Sequence, residues 1–396
     1  MISRIEIKNF KAFKEAAVDL GNLNLFTGIN GMGKSSFIQS LLVLRQSQLD
    51  RQMPERLVLT HDKYVKLGKS QDVLNMYANE EDDTINIHLE TTISGTIHIE
   101  AMPLQNKTSL QINSNFLPKV WKSVESESLF NNDFQYLYAE REAPSDNFPV
   151  NQDAVERLRS LGNKGQYTAH FIATYQANSV KLPSLIDTNQ VNTLAAQIDV
   201  WLAKITKGVH LTSDLYEDLG IARLSYQFAD GDADFTPKFS PVNVGFGFTY
   251  ALPVVTALLA AKPGDLIIIE NPESHLHPRG QALIGEMLSL AAQDGVQLII
   301  ETHSDHVLNG IRVAAKHYHD AEENDRIGKG IDCNKVKIFF FERQPHEEQR
   351  GNKYHGFHYE NTPNNDPNRD LNNPQNGIPK YMQDKLRQRM NYGTNN

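Results

Sequence analysis

The sequence predicts an α/β protein of the P-loop kind, and three observations predict it. First, Gly28-Ile-Asn-Gly-Met-Gly-Lys-Ser35 fits the spacing G-x-x-x-x-G-K-[ST], between an apolar run at Leu23 to Phe26 and a helical repeat of Phe37, Leu41, Leu42 and Leu44. Second, two later apolar runs, Leu266 to Ile269 and Gln297 to Ile300, read as strands that each end in a polar cluster. Third, residues 84–100 alternate in polarity on both sides of Ser94-Gly95, the pattern of an antiparallel hairpin.

Taken in order, Ile2, Ile5 and Ile7 suggest a first strand, Asn9 to Phe13 a turn, and Leu23 to Phe26 a second strand that feeds the glycine-rich loop and a helix. Residues 151–206 read as helical and mixed in polarity, with no sustained heptad and so no long coiled-coil arm. Pro263-Gly264 opens the strand Leu266 to Ile269, a helix follows near Gly280 to Ala292, and Val336 to Phe341 is a last strong strand. Asn and Pro fill 13 of the 37 positions from 344 to 380, which predicts irregular or mobile structure, followed by a short basic helix at Lys380 to Met390. The expected organisation is one main domain over 1–342, with a β-rich subdomain at about 55–115 and a helical insertion at about 150–210, then a tail over 343–396.

Composition narrows the functional classes. At 40% hydrophobic and 22% charged residues this is an ordinary globular chain, and no apolar run approaches the roughly 18 residues of a membrane span. Met-Ile-Ser-Arg-Ile-Glu-Ile lacks the apolar core of a signal peptide, and the single cysteine, Cys333, excludes an internal disulfide, so a cytoplasmic protein is expected. A net charge of −9 disfavours nucleic-acid binding overall, while a local basic patch would still permit it.

The phosphate loop carries the most specific chemistry. Asn30, Gly31, Met32, Gly33, Lys34, Ser35 and Ser36 are the candidate ATP-binding residues. Glycines let successive backbone N–H groups turn toward phosphates, Lys34 neutralises β/γ charge, Ser35 ligates Mg²⁺, and the helix that follows aims its positive end at the same place. Such a site also needs a carboxylate at a neighbouring strand end for Mg²⁺ and a group to activate water. In Leu266-Ile-Ile-Ile-Glu-Asn-Pro-Glu273, Glu270 suits the first role and Glu273 the second. In Leu298-Ile-Ile-Glu-Thr-His-Ser304, an adjacent parallel strand would bring His303 to the γ-phosphate. His275, His277, His303, Asp305 and His306 offer weak spacing for a transition metal.

Together these pieces resemble the SMC/RecF-like branch of ABC ATPases. The resemblance rests on Ile5-Glu-Ile-Lys-Asn-Phe-Lys-Ala-Phe13, Leu25 to Ser36, Ile269 to Pro278 and Ile300 to Asp305. Within that branch the chain is similar to the bacterial OLD-like AAA group, in the subgroup with Asn-Val-Gly-Phe-Gly (243–247) and Glu-Asn-Pro-Glu-x-His-Leu-His-Pro (270–278). It also resembles ATPase subunits of anti-phage defence systems such as Septu. The resemblance implies an ABC-type ATPase head with a mixed β-sheet. It implies that Asn243, Gly245 and Gly247 belong to the signature segment that caps ATP held by a partner protomer. It further implies that Gln71 lies in the Q-loop and that His303 is the switch histidine. Two departures stand out. Asn271 occupies the usual position of the catalytic glutamate, and an amide cannot act as a general base. The Toprim acids of OLD nucleases have no counterpart in the 54 residues after Glu342, so no DNA cleavage by this chain alone is expected.

Three functions compete at this point. The leading one is an ATP-gated dimeric sensor or scaffold ATPase of a defence complex, with a homodimer or higher homo-oligomer docking a separately encoded effector nuclease. The others are a RecF-like DNA-binding clamp in DNA repair, and a structural assembly protein that binds ATP with little turnover.

Overall fold

A computed structural model describes residues 1–78, 83–113, 123–205, 208–230, 234–343 and 357–361. Strands β1 (Ile2–Phe10) and β2 (Phe13–Asp19) form an antiparallel pair with Ile5 opposite Val18. The sequence reading left β2 out. Only Phe13, Ala16 and Val18 are buried there, and alanines give weak alternation. β3 (Leu23–Gly28) runs into α1 (Lys34–Leu49). β4 (Arg56–Val58), the short α2 (Ser70–Val73), β5 (Ile85–Thr91), β6 (Gly95–Pro103) and β7 (Ser109–Ile112) follow. The expected hairpin is β5–β6, with Ile87 opposite Ile99 and Leu89 opposite Ile97. One antiparallel sheet runs in the order β2-β1-β5-β6-β7-β4, so it draws strands from 2–19 as well as from 56–112.

Residues 151–206 hold less helix than their composition suggests. A π-turn at Asp153–Arg157, α3 (Thr168–Tyr175), a 3₁₀ turn at Pro183–Leu185 and α4 (Leu194–Ile205) are separated by turns. Gly162 and Gly165, both at positive φ, and Pro183 interrupt the helical pattern there. A small sheet that the sequence did not announce pairs β10 (Val209–Tyr216) with β11 (Ile221–Asp230), and β9 (Phe148–Pro149) and β12 (Asp234–Phe235) also pair with β11.

The sheet that positions the site contains β3, β8 (Phe134–Leu137), β13 (Leu266–Glu270), β14 (Gln297–Glu301), β15 (Val336–Arg343) and β16 (Phe357–Asn361). Its order is β16-β15-β3-β14-β13-β8, parallel except for β16. β16 lies inside the stretch expected to be irregular. Its Phe-His-Tyr run supplies a partner to the backbone edge of β15. The helix expected at 380–390 lies outside the described residues.

The pleat of this sheet divides the interior into two cores. Leu23, Leu25, Ile267, Ile269, Leu298 and Ile300 pack on one side with α3, α4, α5 (Phe246–Leu259), α6 (Pro278–Gln293) and α7 (Asp305–Asp320). Phe26, Leu266, Ile268, Ile299, Phe339 and Phe341 pack on the other with α1 and the antiparallel sheet. The mixed α/β architecture with parallel and antiparallel sheets therefore follows the expectation, and α1 and α5 flank opposite faces.

Candidate nucleotide site

The loop between β3 and α1 is shaped by its neighbours. Gly28 sits at φ 127, and a Cβ there would stand 2.2 Å from the Phe341 carbonyl oxygen, so the residue must be glycine. Gly31 and Gly33 also have positive φ, and the exposed Asn30 and Gly31 form the crest. α1 begins at Lys34 with no side-chain cap on its first turn, leaving backbone N–H groups without intrahelical acceptors. Lys34 is buried, and its Nζ donates to the carbonyl oxygens of Gly28 and Ile29, each at 3.0 Å. Burial lowers the pKa of this amine, and the Glu301 carboxylate opposes that effect.

Glu270 ends β13 and Glu301 ends β14, paired in register. Both are 7% exposed. Burial pushes the Glu270 carboxyl up to about 7; the Tyr136 hydroxyl, which donates to Oε1 at 2.8 Å, pulls it down, and the charge of Glu301 adds to the rise. Arg141 Nη2 donates to the Glu270 carbonyl oxygen at 2.8 Å, while Arg141 Nε and Nη1 are buried without a partner. Burial also raises the Glu301 carboxyl, with Lys34 and Ser35 opposing. The Ser35 hydroxyl lies 3.3 and 3.5 Å from the two Glu301 oxygens.

Beyond the strand ends the chain turns sharply. Asn271 takes φ 45, a left-handed conformation that asparagine tolerates, and its N–H donates to the Glu301 carbonyl at 2.7 Å. Glu273 Oε1 accepts the His303 N–H at 3.1 Å, so the candidate base and the candidate switch residue are tied together. The His303 side chain is exposed, and partial desolvation and the Lys34 charge lower its pKa.

The signature segment opens elsewhere. Asn243 closes a 3₁₀ turn, Gly245 is the N-cap of α5, and Gly247 lies in its first turn rather than before it. Asn243 and Gly245 are exposed. Tyr250 packs on His275 with ring centroids 4.2 Å apart, which ties α5 to the turn after β13. Gln71 is exposed on α2; backbone bonds from Lys11 to Val73 and from Asn75 to Asn9 anchor its segment beside the β1–β2 turn.

The structure thus gathers Lys34, Ser35, Glu270, Glu273 and His303 at one end of the sheet and leaves Asn243, Gly245 and Gly247 on the α5 side. The sequence reading passed over Glu301, Tyr136 and Arg141. Among the described residues, no group of three or more His, Cys, Asp or Glu could hold a metal ion, so the histidine-rich reading gains no cluster. Also among them, no helix is long and apolar enough to cross a membrane.

Residues 1–200 match the family described as "AAA ATPase domain", and residues 109–309 match the one described as "AAA domain, putative AbiEii toxin, Type IV TA system". The DNA replication and repair protein RecF of Halothermothrix orenii (strain H 168 / OCM 544 / DSM 9562) is 26% identical over 138 residues, 34% of this chain and 35% of that protein. The match thus spans about a third of that relative's length. Similar solved structures include an Smc head bound to the C-winged helix domain of ScpA (11% identity, 91% of this chain and 98% of that one, TM-score 0.48). Another is the SMC head domain from Thermotoga maritima (10% identity, 90% and 97%, TM-score 0.44). Each of the two family matches spans about half of the sequence and both cover the phosphate loop or the strand that follows it in space, and on that basis the chain belongs to the AAA ATPase domain family.

Proposed function

We propose that this chain binds and hydrolyses ATP and works as an ATP-gated dimer. Asn30 to Ser36 cradle the β- and γ-phosphates, and Lys34 exchanges its loop carbonyls for them. Ser35 and a carboxylate at the end of β13 or β14, where Glu270 and Glu301 stand, would hold Mg²⁺, which neutralises phosphate charge when bound. Glu273 takes the proton of the attacking water in place of Asn271, and His303 faces the γ-phosphate. Gln71 lines the approach to the site. Asn243, Gly245 and Gly247 of a second copy close over the nucleotide.

The observation that carries this reading is the meeting of a buried amine, a hydroxyl and a buried carboxylate, Lys34, Ser35 and Glu301, beneath an uncapped helix start. Placement supports the dimer. α1 and α5 pack on opposite faces of one sheet, and each helix stands roughly 10 Å from it, so their axes lie on the order of 20 Å apart. One nucleotide's phosphates cannot touch both helix starts within a protomer. A two-fold pair supplies each site with the other copy's α5.

The wider role is that of a sensor or scaffold subunit in a bacterial anti-phage complex with a separate effector nuclease, working in the cytoplasm. Support for it is the pairing of Asn243–Gly247 with Glu270–Pro278, motifs that resemble those of an OLD-like subgroup. The RecF match supports a second reading, a DNA-repair clamp, and salt-sensitive DNA affinity distinguishes the two. The core of the proposal is tested with Lys34→Ala. Removing the point charge at the phosphates should abolish ATP binding or turnover, and wild-type affinity and turnover in that variant would overturn it.

A further inference from the structure

Three carboxylates stand near the phosphate loop, and each is held by different partners. Glu270 Oε1 accepts the Tyr136 hydroxyl at 2.8 Å, and the Ala139 N–H also donates to this carboxylate. Arg141 fixes the same residue's carbonyl oxygen. Glu273 gives Oε1 to the His303 N–H, while its Oε2 is buried without a partner. Glu301 differs: both of its oxygens face the Ser35 hydroxyl, at 3.3 and 3.5 Å. Its backbone is fixed on both sides, because its carbonyl accepts the Asn271 N–H at 2.7 Å and the next residue, Thr302, donates to Phe26 at 3.1 Å.

Those distances fit a cation shared with Ser35. Mg²⁺ takes oxygen ligands at about 2.1 Å in an octahedron, so neighbouring ligands stand about 3.0 Å apart. The nearer Glu301 oxygen is 3.3 Å from Ser35 Oγ, a few tenths of an ångström from such an edge. Glu301 also lies on β14, the strand between β3 and β13, which places it closer to the phosphate loop than Glu270.

We propose that Glu301, together with Ser35, is the direct carboxylate partner of the Mg²⁺ that accompanies the nucleotide, with Glu270 a positioning residue held behind it by Tyr136 and Arg141. This rests on the nucleotide reading above. It changes which strand supplies the metal carboxylate: the strand that ends in the candidate switch histidine, rather than the one ending in Glu-Asn-Pro-Glu.

The test is the gain in affinity for a fluorescent ATP analogue when EDTA is replaced by Mg²⁺, measured on wild type, Glu301→Gln and Glu270→Gln. Glu301→Gln should lower the Mg²⁺-dependent gain by about 10- to 100-fold, with metal-free binding no weaker than wild type because a negative charge beside the phosphates is removed; Glu270→Gln should lower the gain less. Glu301→Asp, which keeps a carboxylate on a shorter arm, should retain more of the gain than Glu301→Gln and serves if the amide variant does not fold. Glu301→Gln with the wild-type gain, or Glu270→Gln with an equal or larger loss, overturns the assignment while leaving nucleotide binding intact. Wild type that binds no nucleotide overturns the function proposed above instead.

Discussion

Gly245→Trp separates the fold of one protomer from the contact between two. Gly245 has φ −59 and ψ 138, ordinary for any L residue, and a Cβ there would meet nothing within 4 Å. Losing glycine at an N-cap costs up to about 1 kcal/mol, and removing glycine's freedom in the unfolded chain returns about 0.4–1 kcal/mol. The net effect on the protomer is near zero, so its melting temperature should stay within about 2 °C of wild type. The indole would fill the space through which a partner's nucleotide approaches α5. Nucleotide-dependent association should weaken at least about tenfold, or about 1.4 kcal/mol. Gly247 is a poorer probe, because a Cβ there would stand 3.1 Å from the His275 carbonyl oxygen of the same chain, disturbing fold and interface together. Sedimentation with a non-hydrolysable ATP analogue and Mg²⁺, across a range of protein concentrations, reads the effect. A Gly245→Trp variant that associates like wild type would refute the composite site.

Two further outcomes follow from the same geometry. Glu273→Gln should lower ATP turnover at least about a hundredfold, whereas Asn271→Ala should change it far less, since only the carboxylate accepts a proton; normal hydrolysis by Glu273→Gln removes Glu273 as the base. Burial raises the Asp265 carboxyl to about 6 from 3.8, and its Oδ1 is buried without a partner. The folded chain therefore holds this proton more tightly than the unfolded chain, and stability from the group is lost as pH rises from about 4 through 6. Two pH units at about 1.36 kcal/mol each, discounted for partial exposure, give about 2 kcal/mol. Urea denaturation should show Asp265→Asn gaining about that much on wild type between pH 4 and pH 8, and a pH-independent difference contradicts it.

What was legible in the sequence was local. The phosphate loop could be read because its spacing is rigid: Gly28 must be glycine to pass the Phe341 carbonyl, and Lys34 must follow where the helix starts. β13 and β14 were legible as uninterrupted apolar runs, as befits parallel strands buried on both faces. β2 and the β9–β12 sheet were not, because their buried faces include small or polar residues such as Ala16, Ala222 and Ser213. Tyr136 and Arg141 were missed because their partner, Glu270, lies 134 and 129 residues away and meets them only when β8 aligns with β13. Glu301 left a signal that went unused: the apolar run capped by glutamate at 270 recurs at 301.

The central claim is that ATP is held and hydrolysed at a site shared by two copies of this chain. The most direct measurement is ATP turnover per chain as protein concentration is varied at saturating ATP and Mg²⁺. Turnover per chain should rise with concentration until the dimer is fully formed and then level off, with Lys34→Ala inactive throughout. Constant turnover per chain at concentrations where sedimentation shows single protomers would contradict the account.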